Sequence, residues 1–166
     1  MIKFISTALA IALLCGILSG CAPKEPMAED FLKEYYFYTT EDQEHWAQND
    51  QLTAKYMSNK FEKFFESEAY HALLVNDYWE SLIIYIALNK INMTADEITV
   101  IPQDDGDSSI YSLKVKFSDK NGSELGVAEQ SGIIRCGKDG KITYFEPKEM
   151  YDLLLDAHTL VDGNTD

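Results

Sequence analysis

Past residue 95 the apolar period of this chain changes from helical to two, and that change restricts the fold more than any other feature. Tyr111, Leu113, Val115 and Phe117 alternate with Ser112, Lys114, Lys116 and Ser118. One strand face is therefore apolar and the other wet. Asp119-Lys120-Asn121-Gly122 follows as a hairpin turn, with Asn-Gly supplying positive φ. Residues 124–136 read as the returning strand, and Gly126 and Gly132 mark bulges or a bend that curves the sheet. Lys138-Asp139-Gly140 predicts a second turn and residues 141–145 a last strand. Upstream, residues 97–101 read as a short strand and 103–109 as a polar loop. Pro147 is expected to open a short final helix whose Met150, Leu153, Leu154 and Ala157 share a face.

The first half reads helical. Met27, Phe31, Tyr35 and Tyr38 recur on one face of a helix over 27–38. Thr40 and Gln43 fit a capping box before a second helix carrying Trp46. Residues 51–57 continue helical, and Ser58-Asn59 predicts a break, with Asn59 and Glu62 as a capping pair. Phe61, Phe64 and Phe65 fall on one side, a helix follows over 69–75, and Asn76-Asp77 offers the next N-cap. The apolar stretch 82–87 fits a buried helix or a central strand. Asp77 and Glu80 favour the helix, and the β-branched content favours the strand. Helices first and an antiparallel meander second predict a single α+β domain, with the helices packed on one face of a curved sheet.

Residues 4–18 form an apolar run behind Lys3. The run is shorter than the about 20 residues a membrane-crossing helix needs, and Cys-Ala-Pro-Lys-Glu-Pro follows it at once. A removed signal segment fits this pattern. Leu18-Ser19-Gly20-Cys21 resembles a bacterial lipobox. The resemblance implies that the Cys21 thiol takes a diacylglyceryl group and that the bond before it is cut. The mature protein would then be lipid-anchored on the extracytoplasmic face of the cell membrane or outer membrane. Ala22 after the cysteine implies outer-membrane export where there are two membranes. The expected organisation is a signal peptide over 1–20, a tether over 21–26, one domain over 27–160 and a polar tail over 161–166.

The chain carries 28 acidic against 14 basic residues, a net charge of −14, and loss of Lys3 makes it one unit more negative. Nucleic acid and anionic lipid headgroups repel such a chain, so acyl chains must supply the membrane attachment. Cys15 would leave with the signal and Cys21 would be acylated. Cys136 alone remains, at a strand end, so no internal disulfide is expected. A structural thiol fits better than a nucleophile, which needs a base beside it.

Three parts of the chain resemble the nuclear transport factor 2-like (cystatin-like) group. They are the segment from Tyr56-Met57-Ser58 to Phe65, the Tyr111–Phe117 strand with its Asp-Lys-Asn-Gly turn, and Gly137 to Phe145. The helix after Pro147 and the apolar 82–87 stretch depart from that pattern. The resemblance implies a cone-shaped cavity between helices and sheet. In enzymes of the group a carboxylate or histidine inside the cone acts as general base, and burial can tune such a carboxylate for proton transfer. Asp77 and His71 are the candidates here, with Tyr78 and Tyr85 as partner hydroxyls. Asp77 and His71 lie six residues apart and do not share a helical face, and Asp77 already serves as an N-cap. Tyr35, Trp46, Phe64, Tyr78, Trp79 and Tyr85 are the candidate pocket wall.

His45, His71, His158 and Cys136 lack metal-ligand spacing. Asp104-Asp105-Gly106-Asp107 reads as a polar turn, since the register and distant Glu of a calcium loop are missing. No metal and no cofactor is expected. The leading expectation is a non-enzymatic, membrane-tethered module that binds an envelope protein or a small apolar ligand, and no nucleic acid. One alternative is a hydrolase or isomerase using Asp77 or His71. Another is an inhibitor or immunity-type lipoprotein that sets an acidic face against a basic target.

Overall fold

The computed structural model describes residues 26–40, 42, 50–75, 77–104, 106–148 and 150–163. Among them α1 spans Pro26–Tyr35, α2 Asp50–Phe61, α3 Ser67–Leu74 and α4 Asp77–Asn89. Strands β1 (Asn92–Pro102), β2 (Ser108–Ser118), β3 (Glu124–Cys136) and β4 (Ile142–Pro147) follow, then α5 (Met150–Asp162). The sheet is an antiparallel meander in the order β1-β2-β3-β4. The fold is α+β, with helices before the sheet and one after it.

The alternation of β2 decides which face is covered. Tyr111, Leu113, Val115 and Phe117 are buried, while Ser112 is exposed and Lys114 and Lys116 are half-buried. Register carries the same phase to the neighbours. Met93 pairs with Phe117 on one side, and Gln130 and Ala128 pair with Leu113 and Val115 on the other. Each ladder contains one register shift, at Asp96/Thr99, Phe117/Ser118 and Arg135/Cys136. Shifts of this kind bend a sheet. At the first, Glu97 adopts φ +50°.

Both sheet edges are partly capped by isolated bridges. Tyr38 exchanges two backbone hydrogen bonds of 2.8 Å with Met93 on the β1 edge. Phe65 bridges Ile142 on the β4 edge, where Glu66 donates to the Ile142 carbonyl at 3.0 Å. These contacts remove part of the unpaired edge that would otherwise invite another strand.

Several boundaries differ from the sequence expectation. The first helix ends at Tyr35 rather than Tyr38, because Tyr38 is taken by the bridge to Met93. No break occurs at Ser58-Asn59, and α2 runs on to Phe61 with Ser58 donating to the Glu62 carboxylate one turn later. The 82–87 stretch is helical, with Leu82, Ile83 and Ile86 fully buried. β1 starts at Asn92 instead of residue 97. Pro147 ends β4 rather than opening a helix; it pairs with Gly132 on an edge strand, where a missing N–H is tolerated. The final helix has 13 residues and includes His158, so it is longer than the short helix expected. In the first hairpin Gly122 alone takes positive φ, at +85°, and Asp119 accepts from the amides of Asn121 and Ser123. The second helix expected around Trp46 lies outside the described residues.

Candidate functional site

Among the described residues, aromatic side chains pack against one another between helices and sheet. Phe31 of α1 lies at the centre, with ring centroids 4.8–6.0 Å from Tyr35, Phe61, Phe64, Phe65 and Phe145. Trp79 of α4 closes against Tyr35 and Phe61, and its indole N–H donates to the Tyr35 carbonyl at 3.2 Å. Tyr36 and Tyr111 share a buried hydrogen bond of 3.2 Å between their hydroxyls. Tyr36 also donates to the Met150 sulfur at 3.9 Å. Gly132 gives the Tyr111 ring its place: a Cβ there would sit 2.6 Å from the Tyr111 hydroxyl and against the Glu146 carbonyl. Burial pushes the phenols of Tyr35, Tyr36 and Tyr111 well above their ordinary range, so these hydroxyls stay protonated.

Of the expected pocket wall, Tyr35, Phe64 and Trp79 are buried parts of this packing. Tyr85 is half-buried and its ring lies 3.7 Å from that of His158, joining α4 to α5. His71 is exposed on α3 and does not enter the interior. Asp77 opens α4; its side chain, with that of Tyr78, lies outside the described residues, as do Cys21 and Trp46. The described His, Cys, Asp and Glu side chains form no group that could hold a metal ion. Among the described residues no helix is long and apolar enough to cross a membrane.

A second cluster was not legible in the sequence. Asp42 accepts from the Thr39 amide at 2.9 Å, the Thr39 hydroxyl at 3.0 Å and the Tyr56 hydroxyl at 2.8 Å. Gln43 of the expected capping box lies outside the described residues. Lys60 donates to the Phe37 carbonyl at 2.7 Å and to Tyr56 at 3.2 Å, over the rings of Phe37, Tyr56 and Phe61. Burial lowers the Lys60 ammonium, while burial and the Asp42 bond raise the Tyr56 phenol. A phenol held neutral cannot serve as a base. The cluster ties Phe37, Thr39 and Asp42 to α2.

The opposite face of the sheet is covered by no described element, and register lines its side chains up in rows. Ile101, Ile110 and Ile133 form one row across β1, β2 and β3, with Ile101 55% and Ile110 41% exposed. Thr99, Ser112 and Ser131 form the next. Asp96, Lys114 and Glu129 form the third. Lys114 bonds Glu97 at 2.6 Å and Lys116 bonds Asp96 at 2.5 Å. These bonds raise both ammonium groups and lower the Asp96 carboxyl. Across the strands the charges therefore run acid on β1, base on β2 and acid on β3. Because the hydroxyl row is short and the charged row beside it long, a depression of about 380 Å³ opens around Glu97, Thr99, Ser112, Lys114, Glu129 and Ser131. Nearby, the Arg135 guanidinium lies 4.8 Å from the centre of the Tyr144 ring, and Tyr144 donates to Glu146 at 2.5 Å.

No protein-family model and no curated protein matches the sequence. Two solved structures are similar in part. A candidate polyketide cyclase from Xanthomonas campestris pv. campestris is 14% identical, with 80% of this chain and 98% of that chain covered at a TM-score of 0.40. A nuclear transport factor 2-like protein of unknown function from Exiguobacterium sp. 255-15 is 18% identical, with 72% and 98% covered at a TM-score of 0.31. At this level of similarity the architecture rests on the chain's own topology, and neither protein's chemistry transfers.

Proposed function

We propose that this chain is a membrane-tethered extracytoplasmic lipoprotein whose folded domain is a non-enzymatic interaction module. The tether is the lipobox-like Leu18-Ser19-Gly20-Cys21, with Cys21 as the acylated residue. The domain's working surface is the bare outer face of the sheet. One observation carries this: among the described residues the helix-covered face is packed with aromatic rings, whereas the other presents a register-aligned isoleucine row beside alternating charges. Isolated exposed apolar residues need no explanation, but an aligned apolar row marks a contact surface. An apolar ligand among Tyr35, Phe64 and Trp79 would have to displace rings already in contact. The reading makes the partner an envelope protein and requires neither a metal nor a cofactor.

The test uses the full chain in bacterial cells, labelled with an alkyne fatty acid, fractionated, and run on native gels after mild detergent extraction. Cys21→Ala should lose the label and leave the membrane fraction. The double variant Ile110→Asp/Ile133→Asp should keep label and membrane location but run at a smaller assembly size. A labelled Cys21→Ala protein contradicts the tether. An unchanged assembly in the aspartate variant contradicts the working face.

A further inference from the structure

The free edge of β1 leaves a short row of backbone groups open, and we propose that it binds an extended protein segment, which adds to the sheet as an antiparallel fifth strand. This goes beyond the outer-face reading and does not depend on it. Alternate residues of an edge strand aim N–H and C=O away from the sheet. The hairpin after β1 fixes which residues these are. Gln103 donates to the Ser108 carbonyl at 2.8 Å, directly across the turn from it. Counting back in twos, Ile101 with Ile110 and Thr99 with Ser112 turn their backbone groups to β2. Ile98, Val100 and Pro102 therefore turn theirs outward. The start of the strand agrees. Met93 points outward, to Tyr38, and the register shift between Asp96 and Thr99 moves the outward phase from odd to even positions.

Among the described residues no backbone hydrogen bond reaches the outward groups of Ile98, Val100 or Pro102. The open stretch has clear ends. Glu97, at φ +50°, kinks the strand before it, and the turn closed by Gly106 on Gln103 follows it. Between them Ile98-Thr99-Val100-Ile101 is wholly β-branched and carries none of the lysines that blunt sheet edges. Pro102 has no N–H, but its outward carbonyl still accepts.

Side chains and charge set what the occupant carries. Ile98 and Val100 are partly buried against the core, whereas Thr99 and Ile101 are exposed on the bare side. Main-chain bonds supply affinity to an added strand and alternate side chains supply selection. The occupant therefore alternates apolar residues on the core side with polar residues on the bare side. Just past Pro102, Asp104 is exposed, and the chain's net charge is −14. Antiparallel pairing then places a base at the occupant's N-terminal end. A second β1 fits less well. The two-fold register that engages all three open residues centres on Val100. It sets Ile98 against Pro102, which has no N–H to give, and Asp96 against Asp104.

The test uses the full chain in mild detergent and a fluorescein-labelled peptide, Lys-Thr-Val-Thr-Val-Thr-Val, with binding read by anisotropy and amide exchange by NMR. In the chain alone the Ile98 and Val100 amides should exchange freely, while those of Thr99 and Ile101 are protected by β2. Excess peptide should protect Ile98 and Val100. Val100→Pro removes an outward N–H without costing β2 a bond, and should weaken peptide binding by about 10-fold or more. An unchanged melting temperature reports that this variant folds. If it does not fold, the same contact is tested from the other side. N-methylation of the peptide's middle valine, the residue opposite Val100, should abolish binding, and N-methylation of either neighbouring threonine should not. Asp104→Lys should weaken the lysine peptide by about 2- to 5-fold and strengthen one with glutamate in its place. Ile110→Asp, on the bare face, should leave peptide binding unchanged, so this site and the working face fail separately. Protection of Ile98 and Val100 in the chain alone would overturn the site: the edge would be filled by the chain itself if protection is independent of concentration, and by a second copy if it rises with concentration. No protection by excess peptide, or equal binding to folded Val100→Pro, would overturn it as well.

Discussion

One strand shows both faces of this molecule. On one side of β2, Tyr111, Leu113, Val115 and Phe117 are buried under helices. On the other, Ile110, Ser112, Lys114 and Lys116 are covered by no described element of the chain, and the two lysines pair, among the described residues, only with acids of the neighbouring β1. The covered face is held by ring contacts and one buried hydroxyl pair, so a change there is felt as stability. The bare face is held by surface ion pairs, which contribute little to folding, so a change there should be felt in association. The two faces thus separate stability from function, and a variant on either face probes that separation.

The largest effect should come from alkaline pH. Tyr35, Tyr36 and Tyr111 are buried and their phenols are raised above the ordinary value near 10. Above that value the unfolded chain loses phenolic protons that the folded chain keeps. Their contribution is fully present below pH 10 and is lost as pH rises. The slope is about 1.4 kcal/mol per pH unit per group, so about 4 kcal/mol per unit for three. A domain of ordinary stability, about 5–15 kcal/mol, should unfold from about pH 11 upward, as circular dichroism would record together with phenolate absorbance. Smooth phenolate titration without unfolding would break the covered-face account.

Phe31→Ala removes the ring at the centre of the aromatic cluster. Its cost should be about 3–5 kcal/mol, read as a lower urea midpoint. Gly132→Ala brings a methyl group against the Glu146 carbonyl and the Tyr111 ring. Since backbone is one of the neighbours, overpacking should cost about 1–3 kcal/mol, read as a lower melting temperature. Tyr36→Phe and Tyr111→Phe each remove one end of the hydroxyl pair and should each cost about 1 kcal/mol. The double variant should cost less than the sum, because the pair is shared. Ile110→Asp sits on the bare side of the same strand and should change stability by no more than about 0.5 kcal/mol while reducing assembly size. A large stability loss there would mean that an element of the chain covers this face.

The covered face was largely readable from the amino-acid order. The alternation of residues 111–117 named its four buried side chains, and Asn-Gly and Asp-Gly placed both hairpins. Local signals failed where distant contacts decide. Tyr38 fits the helical stripe of Phe31 and Tyr35, yet Met93, far along the chain, draws it out of the helix. The first residues of β1 were missed because the φ of Glu97 breaks the two-residue period. Pro147 reads as a helix start until β4 is known to be an edge strand. The bare face was invisible for the same reason. Ile101, Ile110 and Ile133 look like three scattered residues, and only the register of three strands brings them into a row. Ile110, on the wet phase of β2, was the one local hint.

Site-specific photo-crosslinking in cells tests the central claim most directly. A benzoyl-phenylalanine would be placed in the full chain at position 110 or 127 on the bare face, or at exposed positions 80 or 152 on α4 and α5. The account predicts adducts from 110 and 127 and none from 80 or 152. Adducts only from the helix positions, or none from any position, would contradict it.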